Sequence, residues 1–186
     1  WGKSNFFEES VGIPCIIKGP NIPAGKVCKT PVSLIDIYPT ILNNAGIKVE
    51  SKPGASLNDM ANANDDLERL VFSEYHAMGA KTGAFMIRKG HWKFVYYVSM
   101  QSQLYNLTED PDELIDLGSD PDHADMRIQM EAVLRSICDP EAVDSLAKAD
   151  QMAIVKANGG IKAVVSKGGF GATPPPGGVA EFTNEK

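Results

Sequence analysis

The stretch that decides the fold is Phe85-Met86-Ile87-Arg88-Lys89-Gly90-His91-Trp92-Lys93-Phe94-Val95-Tyr96-Tyr97-Val98. Aromatic and β-branched residues lie on both sides of a glycine turn, the pattern of a β-hairpin. Trp92, Phe94 and Tyr96 alternate with Lys93, Val95 and Tyr97, so one face of the second arm packs on a core. Outward from the hairpin, Leu70-Val71-Phe72-Ser73-Glu74-Tyr75 reads as a strand on one side and Gln103-Leu104-Tyr105-Asn106-Leu107 as a short strand on the other.

Beyond these strands the period changes to that of helices. Asp120-Pro121 opens a helix whose apolar side is Met126, Ile128, Met130, Val133, Leu134 and Ile137, closed by Asp139-Pro140. A second helical stretch spans roughly 141–157 and breaks at Asn158-Gly159-Gly160. The proline- and glycine-rich run from Gly168 to Gly178 is incompatible with regular secondary structure. Towards the N-terminus, residues 12–18 form an apolar run between glycine and proline turns, which predicts a buried strand. Asp36 is placed to cap a helix with Pro39 in its first turn and Gly46 at its end. Residues 48–66 are polar and read as a surface connection.

The opening Trp1-Gly2-Lys3-Ser4-Asn5-Phe6-Phe7-Glu8-Glu9-Ser10-Val11-Gly12-Ile13-Pro14 carries one lysine into this apolar run, with two aromatics behind it as an anchor. With Ile16-Ile17-Lys18-Gly19-Pro20 and Pro31-Val32-Ser33-Leu34-Ile35-Asp36-Ile37-Tyr38-Pro39-Thr40, it resembles the second half of a type I sulfatase, in the alkaline-phosphatase-like superfamily. Arg88-x-Gly90-x-Trp92-Lys93 followed by Leu104-Tyr105-Asn106-Leu107-x-x-Asp110-Pro111-x-Glu113 is similar to the antiparallel C-terminal subdomain of the same family. One departure is Gly12, where many members carry Arg.

The resemblance implies an α/β fold, α+β in its C-terminal part: a partial alkaline-phosphatase-like sheet with helices, plus a small antiparallel subdomain. It implies four parts: the end of the α/β core at 1–66, the strand and hairpin subdomain at 67–118, C-terminal helices at 119–167, and a tail at 168–186. It implies a sulfuric ester hydrolase when complete, in which Lys3 is the catalytic lysine contacting the sulfate ester oxygens. The nucleophile of the family is a formylglycine made from Cys or Ser in a Cys/Ser-x-Pro-x-Arg motif, and Cys15, Cys28 and Cys138 do not stand in one. A divalent metal, calcium above all, is expected in the complete enzyme, with formylglycine and metal ligands upstream of Trp1. This segment is therefore expected to hold no metal and to be inactive alone. The partners implied are a small sulfate ester, the rest of the sulfatase chain, and a second copy, because in choline-sulfatase-like members a tail similar to Ala147–Gly178 packs on a neighbouring subunit. A phosphonate or phosphodiester hydrolase of the same superfamily, or a non-catalytic oligomerisation segment, is the alternative.

Read without that resemblance, His76 ends a strand at a loop, where α/β folds place substrate-contacting groups. It is the substrate-binding candidate, with Lys81 and Thr82 on the same loop; a partly buried, hydrogen-bonded structural histidine is the competing reading. His91 and His123 read as solvent-facing. Asp110, Asp112 and Glu113 lack the ordered ligand positions of a calcium loop and read as a solvated turn.

A formal charge of −6 with scattered Lys and Arg argues against nucleic acid. No apolar run approaches the roughly 20 residues that span a bilayer. The three cysteines are far apart in sequence and read as free thiols of a reducing, cytoplasmic setting, with the periplasm as the alternative.

Overall fold

The computed structural model describes residues 4–48, 53–76 and 80–166. Lys3 and the proline- and glycine-rich tail lie outside them. At the centre are four strands, β1 (Val71–Tyr75), β2 (Ala84–Lys89), β3 (Trp92–Tyr97) and β4 (Gln103–Asn106), in an antiparallel sheet of order β1-β2-β3-β4. Each strand pairs with the next in sequence. The β2–β3 register sets Lys89 opposite Trp92, which leaves Gly90 and His91 as a two-residue turn. Gly90 supplies the positive φ of 60° that this turn requires.

Alternation along the strands gives the sheet two buried faces. Phe85, Ile87, Phe94 and Leu104 point to one side, where Phe72, Trp92 and Tyr96 flank them. Ala84, Met86 and Val95 point to the other, with Tyr75 and Tyr97. The first face is covered by α4 (Ala124–Ile137), through buried Met130 and Leu134, with Val143 of α5 (Pro140–Ala157) beside them. Of the six apolar residues predicted for α4's inner side, Ile128 is 61% exposed and Ile137 41%. Only part of that stripe reaches the narrow four-stranded sheet.

Both helices begin as their sequences dictate. Asp120 accepts from the Asp122 amide in a 3-10 turn ahead of α4, and Asp139 accepts from the Ala142 amide with Pro140 at the first position of α5. After α5 the chain turns at Asn158 and Gly159 into α6 (Gly160–Ser166).

The second face of the sheet is covered by the N-terminal segment. Phe6 is buried against it, Val11 of the single turn α1 (Glu8–Val11) joins it, and the Phe7 ring lies 6.1 Å from that of Tyr105.

Residues 12–18 are a correction to the sequence reading. They form no strand and are exposed, with Ile16 94% exposed, and no partner strand pairs with them among the described residues. Apolar content predicts burial only where a neighbour supplies the missing ladder bonds.

The helix predicted after Asp36 is present as α2 (Ile37–Asn44), but Asp36 does not cap it. Its buried carboxylate reaches back instead, to the Ser33 amide at 2.7 Å, and across to the Ala55 amide at 2.9 Å and the Arg69 guanidinium at 2.7 Å. The supposed surface connection at 48–66 contains a further helix, α3 (Leu57–Asn62), which buries Leu57 and Ala61.

Candidate substrate-side site

His76 follows the last residue of β1, on the helical side of the sheet. Its imidazole stands edge-on to Phe85 with ring centroids 5.2 Å apart. Only 19% of the side chain is exposed, and Nε2 lies 3.7 Å from Glu74 Oε2. Neither ring nitrogen has a hydrogen-bond partner among the described residues. Buried polar nitrogens are rarely left so. Thr82 Oγ1, on the same connection, is also buried without a partner among the described residues, whereas Lys81 is exposed.

The imidazole fits because Gly83 has no side chain. A Cβ there would come within 2.9 Å of His76 Cε1 and 3.1 Å of Asp144 Oδ1. Asp144, on α5, is buried; its Oδ1 accepts from the Gly83 amide at 2.6 Å and its Oδ2 from Lys148 Nζ at 2.7 Å. Burial pushes the Asp144 carboxyl upward, but the Lys148 ammonium and the Gly83 amide together outweigh it and hold the group below the usual carboxylate range. Two turns after Asp144 along the helix, Gln151 Nε2 donates to the His76 carbonyl at 2.6 Å.

The segment that follows Lys3 is anchored on the opposite face. Phe6 fills the space over Val95 and Met86, and Asn5 Oδ1 accepts from the Phe7 amide at 3.2 Å. Glu8 then enters a charge cluster that sequence reasoning missed. Lys93 Nζ is fully buried, 2.9 Å from Glu8 Oε1 and 2.7 Å from Glu113 Oε1. Glu113 Oε2 in turn accepts from the Glu8 amide at 2.6 Å, and Arg88 lies 3.5 Å from the other Glu8 oxygen.

Glu113 is thus no part of a solvated turn. It adopts a positive φ of 54° and is 6% exposed, held there by the lysine. The available signal was the alternation of β3, which sets Lys93 on the same inward face as Val95. His123, read as solvent-facing, is partly covered: its Nδ1 lies 2.9 Å from Asp120 Oδ2, and its ring meets Trp92 edge-on.

The structure therefore places His76 and the described start of the Lys3 segment against opposite faces of one sheet. The converging carboxylates, Glu8 and Glu113, are paired with the two cations Lys93 and Arg88, so their donor set does not fit a divalent cation. Among the described residues no group of three His, Cys, Asp or Glu side chains is arranged to hold a metal ion. The three cysteines are free thiols.

Residues 1–139 match the family model described as N-sulphoglucosamine sulphohydrolase, C-terminal. The chain belongs to this family. Arylsulfatase K of Mus musculus is 35% identical over 147 residues, which are 73% of this chain and 26% of that protein. Choline-sulfatase of Rhizobium meliloti (strain 1021) is 40% identical over 125 residues, 65% of this chain and 24% of that protein. The chain thus spans about a quarter of the length of these curated relatives. Among solved structures, Ps i-CgsB in complex with k-i-k-neocarrahexaose superposes with a TM-score of 0.51 at 25% identity, over 72% of this chain and 32% of that one. The sulfatase resemblance read from the sequence is borne out, and so is the mixed helix-and-sheet class. In this family frame the antiparallel sheet and its two covering layers are the C-terminal sulfatase domain, and α5 carries Asp144 and Gln151 beyond the matched residues.

Proposed function

We propose that this chain is the C-terminal segment of a sulfatase that hydrolyses small sulfate esters together with the rest of its chain. The observation that carries this reading is the family match over residues 1–139, which takes in the lysine-bearing stretch and the hairpin subdomain in one run. Cleaving a sulfate ester places growing negative charge on the sulfuryl oxygens and the departing oxygen. A preorganised cation beside them stabilises that charge more in the transition state than in the ground state.

Lys3 is assigned that role. What supports it is the anchoring immediately behind it: Phe6 is buried, and Glu8 is bound to a fully buried Lys93, so the start of the segment is tied to a rigid sheet. His76 is assigned to the substrate side, supported by two buried ring nitrogens that have no hydrogen-bond partner among the described residues. The boundaries at 66, 118 and 167 delimit core end, sheet subdomain, helices and tail in this reading. Formylglycine and a divalent metal, calcium in our reading, would be carried by residues outside this segment. A homo-oligomer in a cytoplasmic setting completes the proposal.

The test is replacement of Lys3 by Ala in the full-length protein. Loss of one preorganised charge-stabilising group typically costs about 10²–10³ in turnover, and that is the loss expected here. A variant with wild-type turnover overturns the assignment.

A further inference from the structure

We propose that α5 is a positioning helix for the substrate side, with Asp144 and Gln151 acting as a two-point clamp on the connection between β1 and β2. The two described ends of that connection, His76 and Gly83, are held by one helix. Gln151 donates to the His76 carbonyl at 2.6 Å, and Asp144 accepts from the Gly83 amide at 2.6 Å. The two side chains are seven residues apart, two turns of helix, and so share one face of α5.

The clamp is built rather than incidental. The Asp144 side chain is 7% exposed, and Lys148 one turn later fixes its second oxygen at 2.7 Å. The Cβ-less Gly83 lets the carboxylate and the imidazole close on the same backbone. A buried carboxylate that accepts from an amide and an ammonium is a strong, directional fastening. Asp144 and Gln151 also lie outside the family-matched residues 1–139, so the clamp belongs to a part of the chain beyond that match. Asp144 and Gln151 touch the backbone of the connection and act on substrate only through His76. The inference rests on the substrate-side role assigned to His76 above.

The experiment uses the full-length protein with Asp144→Ala, Asp144→Asn and Gln151→Ala, with 4-nitrophenyl sulfate as the probe. Amide hydrogen exchange is followed at Gly83 and Ala84 alongside kcat, KM and thermal midpoint. Losing either clamp point should speed exchange at Gly83 and raise KM about five- to tenfold while kcat changes less than twofold, the scale of one ordinary hydrogen bond. Asp144→Asn keeps an oxygen acceptor for the Gly83 amide and should restore most of the KM. Unchanged exchange at Gly83 in both alanine variants overturns the clamp. Faster exchange with unchanged KM overturns its link to substrate, as does a fall in thermal midpoint alone. Wild-type protein inert towards sulfate esters would sink the sulfatase reading instead, and the exchange measurement would still decide the clamp.

Discussion

Lys93 shows how one side chain sets the shape of a surface remote from it in sequence. Its ammonium is fully buried and bonded by Glu8 and Glu113, which come from segments more than a hundred residues apart. A buried charge with one partner removed is costly, because the charge left behind has lost water without compensation. Lys93→Ala should therefore lower unfolding stability by about 3–5 kcal/mol in urea titration. Lys93→Met combined with Glu113→Gln removes both charges of the tightest pair and should recover part of that loss. A single-variant cost under about 0.5 kcal/mol, the level of an ordinary surface change, would show that the cluster is solvated.

Among elements, α4 separates apolar side chains that face the sheet from those that do not. Leu134 is fully buried against Phe94 and its neighbours, whereas Ile128 is 61% exposed. Leu134→Ala should cost about 2–5 kcal/mol and Ile128→Ala no more than about 0.5 kcal/mol, read from thermal or urea midpoints. Equal costs would mean that the helix is rotated from its place here.

The strands were legible because period-two alternation, a glycine turn and aromatic content all agree between Val71 and Asn106. The helix from Pro140 to Ala157 was legible from its asparagine-glycine stop. Residues 12–18 misled because an apolar run reads the same whether or not a partner strand lies beside it. The helix Leu57–Asn62 was hidden because Asn58, Asp59 and Asn62 are weak helix formers, and the burial of Leu57 and Ala61 decides the matter. Glu113 and Asp144 were hidden for a different reason. Their partners are tertiary neighbours, and local spacing carries no trace of them.

For the molecule as a whole, two layers on one sheet leave acid pH as the condition that loosens the helical layer. Glu141 is held down to about 2, chiefly by its hydrogen bond from Arg135 and then by that from Tyr96, and Asp144 also lies below its usual range. Groups with depressed folded-state values stabilise above their unfolded values and lose that contribution as pH falls through the folded ones. The thermal midpoint should thus be level above about pH 4.5 and decline towards pH 2, and Asp144→Asn should flatten the decline. Glu141 is 46% exposed, so solvent screening limits its share to about 0.5–1 kcal/mol. A midpoint that holds steady to pH 2 would remove both carboxylates from the account of stability.

At this same scale, the proposed place in a larger enzyme rests on the family match and on the residues that follow Lys3, of which Phe6 and Glu8 are fastened to the sheet. The most direct measurement is side-by-side hydrolysis of 4-nitrophenyl sulfate and 4-nitrophenyl phosphate by the full-length protein. The account predicts that kcat/KM for the sulfate ester exceeds that for the phosphate ester by at least about tenfold, or roughly 1.4 kcal/mol of transition-state preference. Equal rates, or a preference for phosphate, would contradict it.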